Sequence, residues 1–262
     1  MHVVAINRLQ GPVDQLASSL AAALGITPFE ARSRVMVPGG GPAVVGAFAE
    51  SAAADACARC LHEAGFATLV LDSSAAARND NRFDVYRIRF GIEGIEAVER
   101  GGGLRTIPFD AITLLLRGTA FGHAVESNVT REKKFSPGRA VLSGGLLLRK
   151  TVETVTETTT PYQKLFLMIY ASEYPPLVLN PGQMDFSTLG SNLRLTREAN
   201  FAWICAELRR RCASAAWDDR LQTRQGQAQL LGPTLSPEVY LGLAIALLVR
   251  DAVPPSTPAD PY

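Results

Sequence analysis

The sequence predicts an α+β protein, in which a small β-α-α-β-α-β unit precedes an antiparallel β-meander with a C-terminal packing helix. Up to residue 74, short β-branched runs alternate with helical apolar stripes. Beyond residue 82, alternating runs recur about every 8–12 residues, which is the spacing of a meander. A third observation is a nearly all-apolar helical pattern close to the end of the sequence.

Residues 1–74 are predicted to form the first unit. Its strands are expected at residues 2–7, 43–48 and 67–72. Gly25 suits the position just after the first helix, because glycine readily adopts a left-handed conformation. Thr27, Pro28 and Glu30 together predict a capping box at the start of the second helix. A third helix is expected between Ser51 and Gly65.

Residues 83–213 are predicted to form the β-rich unit. Four short strands are expected between residues 86 and 117, and two more at residues 146–156 and 164–170. The polar, turn-rich stretch 118–145 is expected to be a long loop. A helix from Thr196 carries an apolar stripe that includes Cys205 and Cys212, so both cysteines are expected in the core.

The range 234–252 is predicted to form a final apolar helix that begins at Ser236-Pro237-Glu238. A helix that is apolar nearly all round must be covered by protein, either by its own chain or by a partner. The residues that would contact such a partner are Tyr240, Leu243 and Leu247. Residues 73–82 are expected to be a linker, and residues 213–233 are polar and rich in glutamine.

Composition narrows the function classes. The 262 residues carry a formal net charge of +1, which gives no general attraction to nucleic acid or acidic membranes. The most apolar stretch has about half the length that spans a bilayer, so no membrane span is expected. The first residues do not resemble a secretory signal, which predicts a cytoplasmic protein with reduced cysteines. No cofactor is expected.

Two features are candidates for catalysis. Cys57 and Cys60 form a CxxC pair well inside the predicted third helix, where core packing is the simpler interpretation and no second pair completes a zinc site. His123 is the only plausible catalytic histidine, and no motif ties a nucleophile or carboxylate to it. An enzyme that uses His123 or the Cys57/Cys60 pair is therefore one alternative function.

A basic cluster gives a further alternative. Arg131, Lys133 and Lys134 are either part of a solvated loop or a site for phosphate groups on a lipid or a partner. Neighbouring Glu126 and Glu132 offset their charge. The corresponding function is a regulatory module that binds phosphate or lipid headgroups and contacts the membrane peripherally.

Residues 3–72 resemble the fold shared by the Clp protease adaptor ClpS and the C-terminal domain of the ribosomal stalk protein. The matching pieces are residues 3–7, 24–25, 29–31, 44–48 and 63–66. In the adaptor family, an asparagine followed by acidic residues, with a histidine, holds the α-amino group of a degradation signal. Asn7 stands at the first of these positions, but Arg8 and Leu9 follow it. The stalk domain uses exposed lysines, and residues 1–74 contain none, so the resemblance implies fold alone.

Residues 83–213 are similar in element order to a pleckstrin-homology-like domain, in which a meander precedes an amphipathic helix. Taken together, these observations predict a non-catalytic adaptor or scaffold that acts through protein–protein contacts. The expected partner is another protein or a second copy of the chain.

Overall fold

The computed structural model describes residues 1–74, 81–135 and 149–252, with side chains described up to residue 123 and again from residue 160. It confirms the α+β class. No helix in these ranges combines the length and apolar character that a membrane crossing requires.

The first three strands and helices follow the sequence prediction closely. The strands form an antiparallel sheet in the order β2-β1-β3 and comprise β1 (His2–Asn7), β2 (Ala43–Phe48) and β3 (Ala67–Asp72). The helices are α1 (Val13–Leu24), α2 (Pro28–Val35) and α3 (Ser51–Glu63). Gly25 ends α1 with a φ of 65°, as expected of a glycine cap.

Eight further strands follow, in two sheets. They are β4 (Phe83–Val85), β5 (Arg87–Phe90), β6 (Gly94–Val98), β7 (Leu104–Pro108), β8 (Ile112–Phe135), β9 (Arg149–Ala171), β10 (Leu177–Leu179) and β11 (Ala216–Leu221). Strands β5, β6 and β7 form the predicted antiparallel meander. The other sheet has the order β11-β8-β9-β10-β4, and it is mixed because β11 pairs with β8 and β10 pairs with β4 in parallel.

The prediction of a loop at residues 118–145 is wrong for residues 118–135, because these residues belong to β8. The rest of that prediction lies outside the described residues. Likewise, residues 157–163 do not separate two strands, since β9 runs through them. Small and polar residues have low strand propensity on their own, but pairing with a neighbouring strand outweighs propensity.

The polar stretch 213–233 holds two elements that the sequence did not predict, β11 and helix α5 (Arg224–Leu231). Gln227 explains part of this difference. It is fully buried, and its Nε2 donates to the carbonyl oxygens of Thr119 and Leu221 at 2.7 Å each. A buried polar side chain is tolerated where it makes such bonds, so a polar sequence here does not indicate exposure.

The remaining helices are α4 (Arg197–Arg211) and α6 (Pro237–Ala252). Two buried clusters hold the elements together. One joins β1–β3 with α5 and α6, and it takes Leu114 and Leu116 from β8. The other lies beneath α4 and takes Leu115 from the opposite face of β8. The chain itself therefore covers the apolar helix α6.

A polar cluster centred on Arg220 connects the ends of β1, β11 and α6. Arg220 Nη2 lies 2.5 Å from Asp218 Oδ2 and 3.8 Å from Asp251 Oδ2. Its Nη1 donates to the carbonyl oxygens of Gly41 and Pro38. Asn7 Nδ2 donates to Asp251 Oδ1 at 3.1 Å, which ties the first strand to the last helix.

By compactness the chain divides into two units, residues 1–120 with 164–262 and residues 121–163. The predicted domain ranges 1–74, 83–213 and 234–252 stay a prediction, because compactness does not test whether a segment folds alone. A groove beside β2 lies within the first of these units.

Candidate functional site

A groove of about 470 Å³ runs beside β2, and we refer to it as the β2 groove. Its walls come from the end of α1, from α2, from β2 and from the connection between α5 and α6. Its volume falls within the range of about 300–1,000 Å³ that is usual for ligand sites. Its lining includes Phe29, Arg34, Val44, Val45, Ala47 and Gly232.

Strand β2 presents an unpaired edge to this groove. It has a single neighbour, β1, in the three-stranded sheet. Within the described ranges, no backbone hydrogen bond from outside the sheet reaches Ala43–Phe48. Ala43 and Val44 are buried, whereas Val45–Phe48 are partly or fully exposed. Along Val45–Phe48, peptide N–H and C=O groups at the free edge are available to another extended chain. The groove therefore offers main-chain hydrogen bonds as well as side-chain contacts.

Helix α2 forms the opposite wall and is fixed at its first turn. Thr27 Oγ1 accepts from Glu30 N at 3.2 Å, while Glu30 Oε2 accepts from Thr27 N at 2.9 Å. This is the capping box that the sequence predicts. The cap holds Phe29 at the groove wall, where 85% of its surface is exposed. Exposed aromatic side chains of this kind are enriched where proteins bind one another.

Arg34 lies further along α2 and is half-buried in the groove wall. Among the described residues no carboxylate pairs with it, and no hydrogen bond to it is found. Burial lowers the pKa of its guanidinium below the ordinary value. A cation with restricted access to water and no counter-charge is electrostatically costly within this chain.

The absence of a side chain at Gly232 leaves space for the guanidinium of Arg34 beside its backbone. Gly232 has a φ of 82° and a ψ of 179°, a conformation that is essentially confined to glycine. A Cβ at this position would lie 2.7 Å from Arg34 Nη1. Both the backbone conformation and the space for Arg34 thus require glycine here.

A second concavity, also of about 470 Å³, lies beside the start of α4. Its walls include Tyr86, Arg100, Leu193, Leu195 and Arg197. Arg197 Nη1 donates to two main-chain carbonyl oxygens at 3.0 Å, and Arg100 stacks 5.0 Å from the ring centre of Tyr86. Its arginines thus already have partners in the chain. The β2 groove is therefore the stronger candidate.

The structure places the predicted partner residues of the last helix in the protein interior. Leu243 and Leu247 are 3% and 0% exposed, and Tyr240 is partly buried against the same cluster. The sequence left open whether the chain or a partner covers this helix, and the chain does so. With this packing, a partner does not reach Leu243 or Leu247.

The predicted basic cluster lies on β8. The side chains of Arg131, Lys133 and Lys134 fall outside the residues whose side chains are described, so the phosphate-binding alternative stays a prediction. His123, also on β8, is exposed.

The cysteines occupy two kinds of environment. Cys205 and Cys212 are buried as predicted, and burial raises the pKa of each thiol to about 11. Cys57 is half-buried. Its pKa is raised mainly by burial and to a lesser extent by the neighbouring Cys60. Cys60 is exposed, which differs from the core position expected of it, and its Sγ donates to the carbonyl oxygen of Ala23 at 3.3 Å. Thiols with a raised pKa are poor nucleophiles at neutral pH.

Sequence reasoning did not find the β2 groove. Phe29 and Arg34 lie on a short helix whose hydrophobic pattern is weak, and Gly232 lies in the stretch 213–233, which the sequence shows only to be polar and rich in glutamine. The one available signal was Phe29 itself, an aromatic residue directly after a helix-capping Thr-Pro pair. Nothing in the spacing indicates that residues 231–234 meet residues 24–47.

Comparison of the chain with protein-family models, with curated proteins and with solved structures finds no match in any of the three. Within the described ranges, no group of three or more histidine, cysteine or acidic side chains is arranged to hold a metal ion.

Proposed function

We propose that the protein is a non-catalytic protein-binding module that holds an extended segment of a partner along β2. The observation that carries this proposal is the unpaired edge of β2 at the border of a groove large enough for a ligand. Strand addition is a common mode of peptide recognition, in which the main chain supplies affinity and alternate side chains supply specificity.

The walls of the groove fit this role. Phe29 supplies exposed apolar surface, and removing such surface from water stabilises a complex. The capping box at α2 holds this wall in place before binding, which reduces the entropy lost on association. An adaptor function follows if the bound segment belongs to a second protein. The resemblances to ClpS and to pleckstrin-homology-like domains remain proposals about fold.

The experiment selects binders from a displayed library of random 12-residue peptides with the intact protein as bait. Selected peptides are then resynthesised, and hydrogen–deuterium exchange is measured with and without them. We expect slower exchange at Val45–Phe48, because strand addition engages the amides at the accessible part of the free edge.

Two matched variants make the experiment specific. Ala47→Lys adds a charge to the free edge, which is a known way to discourage strand pairing. Ala53→Lys makes the same change at an exposed position on α3, outside the groove. We expect Ala47→Lys to weaken peptide binding about tenfold or more, which corresponds to about 1.4 kcal/mol, and Ala53→Lys to have little effect. Equal binding by both variants, or protection only away from β2, contradicts the proposal.

A further inference from the structure

The β2 groove has two charged side chains in its lining, Glu30 and Arg34, and only Glu30 has partners within the described residues. Glu30 is exposed, and its Oε2 accepts from both the backbone N–H and the hydroxyl of Thr27, at 2.9 and 2.8 Å. Its charge therefore has partners in the chain and is screened by water. Arg34 is half-buried and has neither an ion pair nor a hydrogen bond among the described residues.

The other arginine of α2, which is exposed, provides a contrast. Arg32 is paired with Asp14 of α1 at the surface. Arg34, two residues along, faces the groove and lies against the backbone of Gly232. Among the described residues, a carboxylate thus pairs with the arginine that water already stabilises, and none pairs with the arginine that is partly removed from water.

We infer that the groove selects a partner segment that places an aspartate or glutamate side chain against Arg34. This inference rests on the proposed function, because it names the chemistry of the segment that binds along β2. A guanidinium binds a carboxylate through two parallel N–H···O bonds, and such charge-assisted bonds gain strength where water is partly excluded. The acidic side chain supplies the counter-charge that the described residues do not provide.

The segment is extended, because it pairs with the edge of β2 while its side chains alternate between the groove and solvent. The acidic residue therefore occupies one defined position in the segment, flanked two residues away by apolar side chains that contact the groove wall at Phe29. A basic residue at the same position is disfavoured, since two like charges would meet with little solvent between them.

The test repeats the peptide selection on three proteins: wild type, Arg34→Gln and Arg32→Gln. Arg32→Gln removes the same charge from the same helix outside the groove and serves as the matched control. We expect the wild-type and Arg32→Gln pools to be enriched in aspartate or glutamate at one position. We expect the Arg34→Gln pool to lose this enrichment and to keep the flanking apolar pattern.

A double-mutant cycle on one selected peptide sharpens the result. The peptide is acetylated at its N-terminus and amidated at its C-terminus, so that the acidic side chain is the carboxylate under test. Replacing Asp by Asn in the peptide should weaken binding to wild type about tenfold and to Arg34→Gln less than about twofold. Arg34→Lys should restore part of the preference, because it keeps the charge and loses the paired geometry.

The outcomes separate the two proposals. Peptides that protect β2 but show equal acidic enrichment with Arg34→Gln, or none with wild type, overturn this inference and leave the proposed function standing. Selection that yields no peptide bound at β2 overturns both. Thermal unfolding of each variant establishes that a lost preference does not arise from a lost fold.

Discussion

Arg220 and Arg34 are both partly withdrawn from water, but they differ in the polar partners that surround their guanidinium groups. The Arg220 guanidinium meets two aspartates and two carbonyl oxygens, and only 20% of its side chain is exposed. The Arg34 guanidinium meets the backbone of Gly232 and an open groove. An arginine with a full set of partners indicates a structural joint. For Arg34, which has no partner among the described residues, we propose that a carboxylate from outside the chain completes the site.

Replacement of Arg220 tests the structural half of this comparison and has the largest expected effect. Arg220→Ala should lower the free energy of unfolding by about 3 kcal/mol, measured by urea denaturation. The reason is that Asp218 and Asp251, whose side chains are 10% and 18% exposed, would lose their counter-charge.

The surface pair of Arg32 provides the control. Arg32→Ala should cost no more than about 0.5 kcal/mol, because its side chain is 50% exposed and that of Asp14 is 82% exposed. Similar losses from both variants would mean that the cluster around Arg220 is as well hydrated as the surface, and the comparison would then fail.

Gly232 tests how the groove makes room for Arg34. Gly232→Ala should lower the free energy of unfolding by about 2 kcal/mol, because alanine does not readily adopt its conformation and the added Cβ would press on Arg34 Nη1. Gly25→Ala is the matched control, since Gly25 also has a positive φ but nothing within 4 Å of the new Cβ. Its expected cost is smaller, about 1 kcal/mol.

The contribution of the contact itself follows from a combined variant. In an Arg34→Ala background, Gly232→Ala should be less destabilising than in wild type, because the guanidinium is gone. An unchanged cost would assign the whole effect to backbone strain and none to the approach of Arg34.

Replacement of Arg34 has the smallest expected effect on stability, and its sign is the informative part. Arg34→Met should raise the free energy of unfolding by about 0.5 kcal/mol, because it removes a poorly solvated charge and keeps most of the side-chain volume. The same change at Arg220 should be strongly destabilising. A loss above about 1 kcal/mol from Arg34→Met would show that the chain does supply a partner for this cation.

The sequence predicts those parts of the fold whose signals are local. The caps at Gly25, Thr27 and Thr196 mark helix ends correctly because capping depends on a few adjacent residues. The sequence does not predict the strand structure of residues 118–135 or of β11, because both strands are stabilised by neighbours that are distant in sequence.

The candidate site was out of reach of sequence reasoning for the same reason. The β2 groove brings residues 24–47 against residues 231–234, and Arg34 is distinguished by having no partner among the described residues. Absence of a partner is a property of packing, and no spacing of residues in the chain encodes it. The apolar last helix was found from its composition, whereas what covers it required the structure.

The packing of α6 against β1–β3 has a consequence for synthesis of the chain on the ribosome. The core built around Val3–Ile6 includes Leu243 and Leu247, which are translated about 180 residues after the third strand begins. At 5–20 residues per second, the nascent sheet waits roughly 10–40 s for the helix that shields it. During that interval the apolar face of the sheet that later packs against α6 is accessible to chaperones and to other nascent chains.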